Sequence, residues 1–151
     1  MATTVTTKVQ TTEDTQVFVN FEQGKALAEI TQEIIDVTTV GAFEQSREIK
    51  KKGTVAGDEY SIGGKLTNSD VEVQFLLNSD TSAVYNSFSA AIQDPKKNIV
   101  SVKILYPWGE TVVGNYAVAK VGRPAADENH DIVVVSISLS PSGKLAVTPT
   151  K

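Results

Sequence analysis

A chain of 151 residues, 40% hydrophobic and 21% charged, has the make-up of one globular domain with a sizeable core. With no cysteine, it has no disulfide staples, thiolate metal sites or cysteine nucleophile, which fits folding in a reducing cytoplasm. A formal charge of −4 argues against tight nucleic-acid binding through phosphate neutralisation, which needs clustered Lys and Arg.

The opening "MATTVTTKVQTTEDTQ" is polar and Thr-rich, without the charged-then-apolar layout of a signal peptide, and reads as an arm over about 1–16. A short strand is expected from Gln16 to Phe21. In "ALAEITQEIIDVTT", Leu27, Ile30 and Ile34 have helical spacing, but the β-branched end favours a strand pair or one bent strand. Residues 39–65 have no sustained period, five glycines and charges of both signs, and read as a long functional loop. "DVEVQFLLN" alternates as a half-buried strand, with Val71, Val73, Phe75 and Leu77 on one face.

The period then changes. Val84, Phe88, Ala91 and Ile92 form one helical stripe with Tyr85 beside it, predicting a helix over about 81–93 that is capped by Ser79 or Asp80 and stopped by Pro95. Val100, Val102, Ile104 and Tyr106 alternate up to the bend Pro107-Trp108-Gly109, and Val112, Tyr116 and Val118 mark the return strand. "DIVVVSISLS" sets Val133, Val135, Ile137 and Leu139 on one face and three serines on the other. "PSGKLAVTPTK", with two prolines and a glycine, reads as a second arm over 141–151. The whole predicts a single, mainly β domain: an antiparallel two-sheet sandwich or open barrel with one flanking helix.

Enzyme chemistry finds little footing. His130 is the only histidine and lies in the polar bend "AADENHD", where an exposed turn residue is the simpler reading than a general base. There is no G-x-S-x-G elbow and no His/Cys set for zinc. "DENHD" has calcium-loop spacing, but Ile132 stands where the sharp turn needs Gly and Ser138 where a bidentate Glu is needed. "GGK" at 63–65 fails as a phosphate loop, because Glu59 replaces the leading Gly and Leu66 the Ser or Thr. No catalytic, cofactor or metal residue is assigned. Trp108 reads as a turn residue that covers the end of a sandwich or meets a neighbour. The competing reading is a monomeric β-sandwich module for carbohydrate or peptide, with Trp108 and nearby tyrosines as its platform.

In order along the chain, "EIIDVTTVGAF", "GGKLTNSDVEVQFLLNSDTSAVYNSFSAAI", "SVKILYPWGETVVGNYAVAKVGRP" and "DIVVVSISLSPSGKL" resemble the tail tube proteins of long non-contractile-tailed bacteriophages, over roughly residues 26–146. The resemblance implies two packed sheets with a flanking helix, homohexameric rings stacked into a tube, and passage of the DNA genome through the lumen without specific binding. It also implies tape-measure, tail-tip and tail-terminator partners, a place in the virion tail after synthesis in the host cytoplasm, and no membrane or cofactor. On this reading the 39–65 segment is a subunit interface, with Val40, Phe43, Arg47, Lys50, Lys51, Lys52 and Tyr60 as its candidate contacts. The polar face of a strand from Leu27 to Val37 supplies Glu29, Thr31 and Glu33 as lumen candidates.

Overall fold

The computed structural model describes residues 14–126, 128 and 132–149. The arm expected over 1–16 and the bend carrying His130 lie largely outside them.

Among the described residues there are nine strands and one α-helix. The strands are β1 (Gln16–Asn20), β2 (Gln32–Glu33), β3 (Val37–Val40), β4 (Gln45–Gly53), β5 (Glu59–Asn68), β6 (Val71–Leu76), β7 (Ile99–Tyr106), β8 (Glu110–Gly122) and β9 (Val134–Pro149), and the helix is α1 (Ser82–Gln93). Seven strands make one sheet in the order β2-β1-β7-β8-β9-β6-β3, antiparallel throughout, while β4 and β5 pair only with each other.

Alternation writes the strands. Val100, Val102 and Ile104 of β7, Val112, Tyr116 and Val118 of β8, Val135, Ile137 and Leu139 of β9, and Val71, Val73 and Phe75 of β6 are all buried. They share one apolar cluster with Val84, Phe88 and Ala91, the helical stripe of α1. Phe21 meets Phe88 edge-on at 4.9 Å between ring centroids, tying the end of β1 to the helix.

The sheet curls because its two outermost strands are consecutive in the chain. The Ile34 N–H donates to the Val17 carbonyl of β1 at 2.9 Å, and two residues later the Asp36 carbonyl accepts from Leu76 N–H of β6 at 3.0 Å. Three residues thus join one side of the sheet to the other. Asp36 makes the corner at φ 54°, a left-handed conformation that Asp tolerates better than most residues, and Asn78 Nδ2 donates to its carboxylate at 2.8 Å. Ile34, only 3% exposed, fills the seam from inside.

Three local expectations change. The run from Leu27 to Val37 is not a strand: Leu27–Glu29 is a 3-10 turn, β2 is two residues long, and the corner at Asp36 separates β2 from β3. Ile30 and Ile34 are both buried, so their helical spacing reflects two anchors of an irregular segment. The helix start is not capped by Ser79 or Asp80. Thr81 holds the cap position without a capping bond, and Asn78 Oδ1 instead accepts from the Asp80 and Thr81 N–H groups at 2.8 and 3.1 Å. Thr81 Oγ1 donates to the Leu76 carbonyl at 2.7 Å, locking β6 to the helix.

The segment read as a second arm is instead the far half of β9, with Pro141 opposite Tyr116 and Pro149 opposite Glu110. Proline is tolerated there because β6 pairs with β9 only as far as Leu139, so no second neighbour needs the missing N–H. Gly143, at φ 82°, bends the strand so that Leu145 is buried over Gly114, where a Cβ would overlap the leucine side chain.

Replacing Ile34 with Ala should cost about 2–5 kcal/mol by creating a cavity at the seam. Replacing its exposed neighbour Ile35 should cost under about 1 kcal/mol. Urea denaturation of both variants measures the contrast, and equal losses would contradict this account of the closure.

Candidate self-assembly surface

The 39–65 stretch begins in β3 and then leaves the seven-stranded sheet, an open half-barrel, as the β4–β5 hairpin. All nine residues of β4 and eight of the ten of β5 are exposed. A strand wet on both faces needs no alternation of apolar and polar residues, which is why this segment shows no period in sequence.

Its root is narrow. The Gly41 N–H donates to the Glu72 carbonyl at 2.6 Å. Ser69 takes two bonds of 2.8 Å across the two chains, its hydroxyl accepting from Glu44 N–H and its own N–H donating to the Glu44 carbonyl. At the tip, Thr54 N–H donates to the Asp58 carbonyl at 2.7 Å, and Gly57 at φ 95° makes the turn.

The expected interface residues fall into two groups. Arg47, Lys50, Lys51, Lys52 and Tyr60 lie on the hairpin, with Lys52 opposite Tyr60 and Arg47 Nη1 donating to the Gly64 carbonyl at 2.8 Å. Val40 and Phe43 stay at the root, half-buried, lining a cleft of about 260 Å³ with Thr15, Tyr106, Trp108 and Glu110. The exposed hydrophobics Ile49, Val55, Ile62 and Leu66 were not singled out from the sequence, although Val55 is fully exposed at the tip. A loop reading gives such residues no face, whereas the observed register does.

Between Gln45 and Asn68 five cations (Arg47, Lys50, Lys51, Lys52, Lys65) oppose three anions (Glu48, Asp58, Glu59), leaving nine cations and fifteen anions in the rest of the sequence. A hairpin of net charge +2 therefore projects from a body of −6.

Glu29, Thr31 and Glu33 are exposed on a different region. Glu29 and Thr31 line a shallow cleft with Glu22 and Lys25, while Glu33 accepts from Gln16 Nε2 at 3.3 Å. Hydrogen bonding and charge from Glu22, 3.0 Å away, and then Glu29, hold the Lys25 ammonium above its ordinary range. Ser101 and Asn115 pin this loop to the sheet, the former accepting from Lys25 N–H at 3.1 Å and the latter from Gly24 N–H at 2.8 Å. Nothing in their strand context marked those two residues.

Trp108 stacks on Tyr106 at 4.4 Å and 13°, so one face of its ring is already covered. Among the described residues no group of three or more His, Cys, Asp and Glu is arranged to hold a metal ion, and no helix is long and apolar enough to cross a membrane.

Tyr116 is fully buried, and its hydroxyl has no hydrogen-bond partner among the described residues. Burial, with a smaller contribution from Tyr106, pushes its proton affinity well up; Tyr106 is raised by burial and then by Glu110. Folded Tyr116 therefore keeps a proton that the unfolded chain releases near pH 10, and the stability present below that pH falls above it by about 1.4 kcal/mol per pH unit. Tyr116→Phe should flatten the loss between pH 10 and 12 without weakening the fold at pH 7. Denaturation across that range measures it, and an unchanged slope would contradict the assignment.

No family model matches this sequence, and no curated protein matches it. Among solved structures, a chain of the tube-terminating cap of the anti-feeding prophage aligns at TM-score 0.72 and 12% identity, covering 98% of this chain and 96% of that one. A chain of the sheath–tube complex of the PVC extracellular contractile injection system aligns at 0.67 and 13%, covering 89% and 88%. A chain of the tail of an empty gene transfer agent particle, solved with C6 symmetry, aligns at 0.64 and 10%, covering 93% and 99%. The chain thus has a mainly β, curled antiparallel fold with one flanking helix, shared with components of contractile injection systems and phage-like tails.

Proposed function

We propose that this protein is a structural, non-enzymatic subunit whose homohexameric rings stack into a hollow tail tube that conducts DNA into a host cell. The observation that carries the reading is the β4–β5 hairpin, a basic element with exposed apolar residues that stands off an acidic body and has no ladder partner in its own barrel. Opposite charges on two parts of one chain favour head-to-tail contact, which closes into rings or repeats along an axis. Six-fold symmetry draws support from the C6 gene transfer agent tail and the 6-fold symmetrised baseplate of the anti-feeding prophage.

The attribution to long non-contractile tails rests on the four sequence segments, since the structural likeness extends to contractile systems. Tape-measure, tip and terminator proteins are the proposed partners, and the virion tail the proposed location. Glu29, Thr31 and Glu33 are proposed to line the lumen, where an acidic wall would repel DNA and let it slide. The binding-module alternative is less well supported, because the cleft beside Trp108 is small and Tyr106 occupies one face of the ring.

Negative-stain microscopy and sedimentation across concentrations test the proposal, with rings or tubes of uniform width expected from the wild type. Reversing Lys50, Lys51 and Lys52 to Glu changes the hairpin from +2 to −4. It should raise the concentration needed for assembly about tenfold or more while leaving the monomer's melting unchanged. Normal tubes from that variant would remove the hairpin from the account. A wild type that stays monomeric and saturably binds a sugar or peptide, with Trp108→Ala abolishing the binding, would establish the alternative.

A further inference from the structure

We infer that Trp108 of one copy seats in the apolar cleft at the opposite end of the next copy, a knob-and-socket contact that joins subunits head to tail. The inference rests on the self-assembly reading above and goes beyond it by naming a contact between the two ends of the seven-stranded sheet.

The knob is held ready. Gly109, at φ 91°, closes the bend with an N–H bond of 3.1 Å to the Tyr106 carbonyl, and the indole lies flat on the Tyr106 ring. With one ring face fixed and the side chain 40% exposed, little freedom is left to lose on docking.

The socket lies past the other end of β8. Leu77, Tyr85, Ala125, Ile132, Val133 and Val135 help to line a cleft of about 580 Å³, within the range of about 300–1,000 Å³ that buries a small apolar ligand. Ile132 is 76% exposed and Val133 40%, so apolar surface there is open to a partner. Beside them the Arg123 guanidinium lies 5.6 Å from the Tyr85 ring centre, and its Nη2 donates to Ser89 Oγ at 3.2 Å. Trp, Tyr and Arg are the side chains that most often dominate the energy of a contact between proteins. An indole entering this cleft meets an arginine and a tyrosine already in place.

Distance makes a second copy the occupant. β8 is 13 residues long, so Trp108 before it and Arg123 after it stand about 40 Å apart along the strand. A copy cannot fill its own socket with its own tryptophan. Charge favours the same pairing of ends. The basic hairpin springs from the Trp108 end, where Phe43 of its root shares a cleft with the indole, while the sequence between Ala126 and Ile132 of the socket holds Asp127, Glu128 and Asp131. A knob and a socket at opposite ends make a heterologous contact, which adds copies along an axis instead of closing a pair.

Trp108→Ala removes the knob, and Ile132→Asp puts a carboxylate in the socket at an exposed position. Each should raise the concentration needed for assembly about tenfold or more, and Ile132→Asp should leave the monomer's melting unchanged. Because the chain has no cysteine, Ala125→Cys reports on the socket alone. Mixed as a minor fraction into wild type, it should react with maleimide at least about tenfold more slowly in sedimented particles than in free subunits. In particles that contain wild type and Trp108→Ala in equal amounts, about half of the reporter should return to the free-subunit rate. A socket as reactive in wild-type particles as in free subunits would overturn the contact and leave the tube reading intact. A single slow phase in the mixed particles would show that something other than Trp108 covers the socket, and would overturn it as well. Failure of the wild type itself to assemble at any concentration would defeat the underlying reading, and this inference with it.

Discussion

Everything else in this fold depends on a three-residue corner. A seven-stranded antiparallel sheet has two unpaired sides, which a soluble protein must pair, cover or blunt. Here Ile34, Ile35 and Asp36 carry the chain from a bond with β1 to a bond with β6, each the last strand but one at its end of the strand order. The apolar face can then be filled by one helix and by Ile34 itself, without a separate second sheet. Asn78 couples this corner to the helix start, with its amide nitrogen on Asp36 and its amide oxygen on the N–H groups that lead into the helix. The corner also explains the hairpin. Once β3 has taken the last position in the sheet, residues beyond Gly41 have no strand of the sheet left to pair with, and the chain projects until it returns as β6 beside β3.

The molecule is therefore built in two mechanically different parts. The barrel has a contiguous core, a helix and long ladders, with β8 and β9 paired along most of their length. The hairpin has one ladder and a root held by a few bonds at Gly41, Glu44 and Ser69. Its conformation is set locally, by that ladder and that root.

Legibility in the sequence followed burial. The alternations in β6, β7, β8 and the first half of β9, and the stripe Val84–Phe88–Ala91, are written plainly because each element has one dry face and one wet face. The hairpin was illegible as strand because neither face is dry. Ile30 and Ile34, two buried anchors four residues apart, imitate a helical stripe, the β-branched end of the same run favours strand, and no local signal announces the corner at Asp36. The far half of β9 hid behind Pro141 and Pro149, which read as chain breakers until the one-sided pairing of that strand is known. Of the candidate interface, the cations and Tyr60 could be picked from composition. The apolar partners Ile49, Ile62 and Leu66 could not, since their meaning comes from the register.

The chain holds a single tryptophan, and it sits at the bend beside the hairpin root, stacked on Tyr106. The protein's whole indole emission thus originates at one end of the barrel, from a ring that is 40% exposed. Its most buried phenol, Tyr116, absorbs from the centre of the core. Emission therefore reports on the end from which the hairpin springs, apart from the core that Tyr116 occupies.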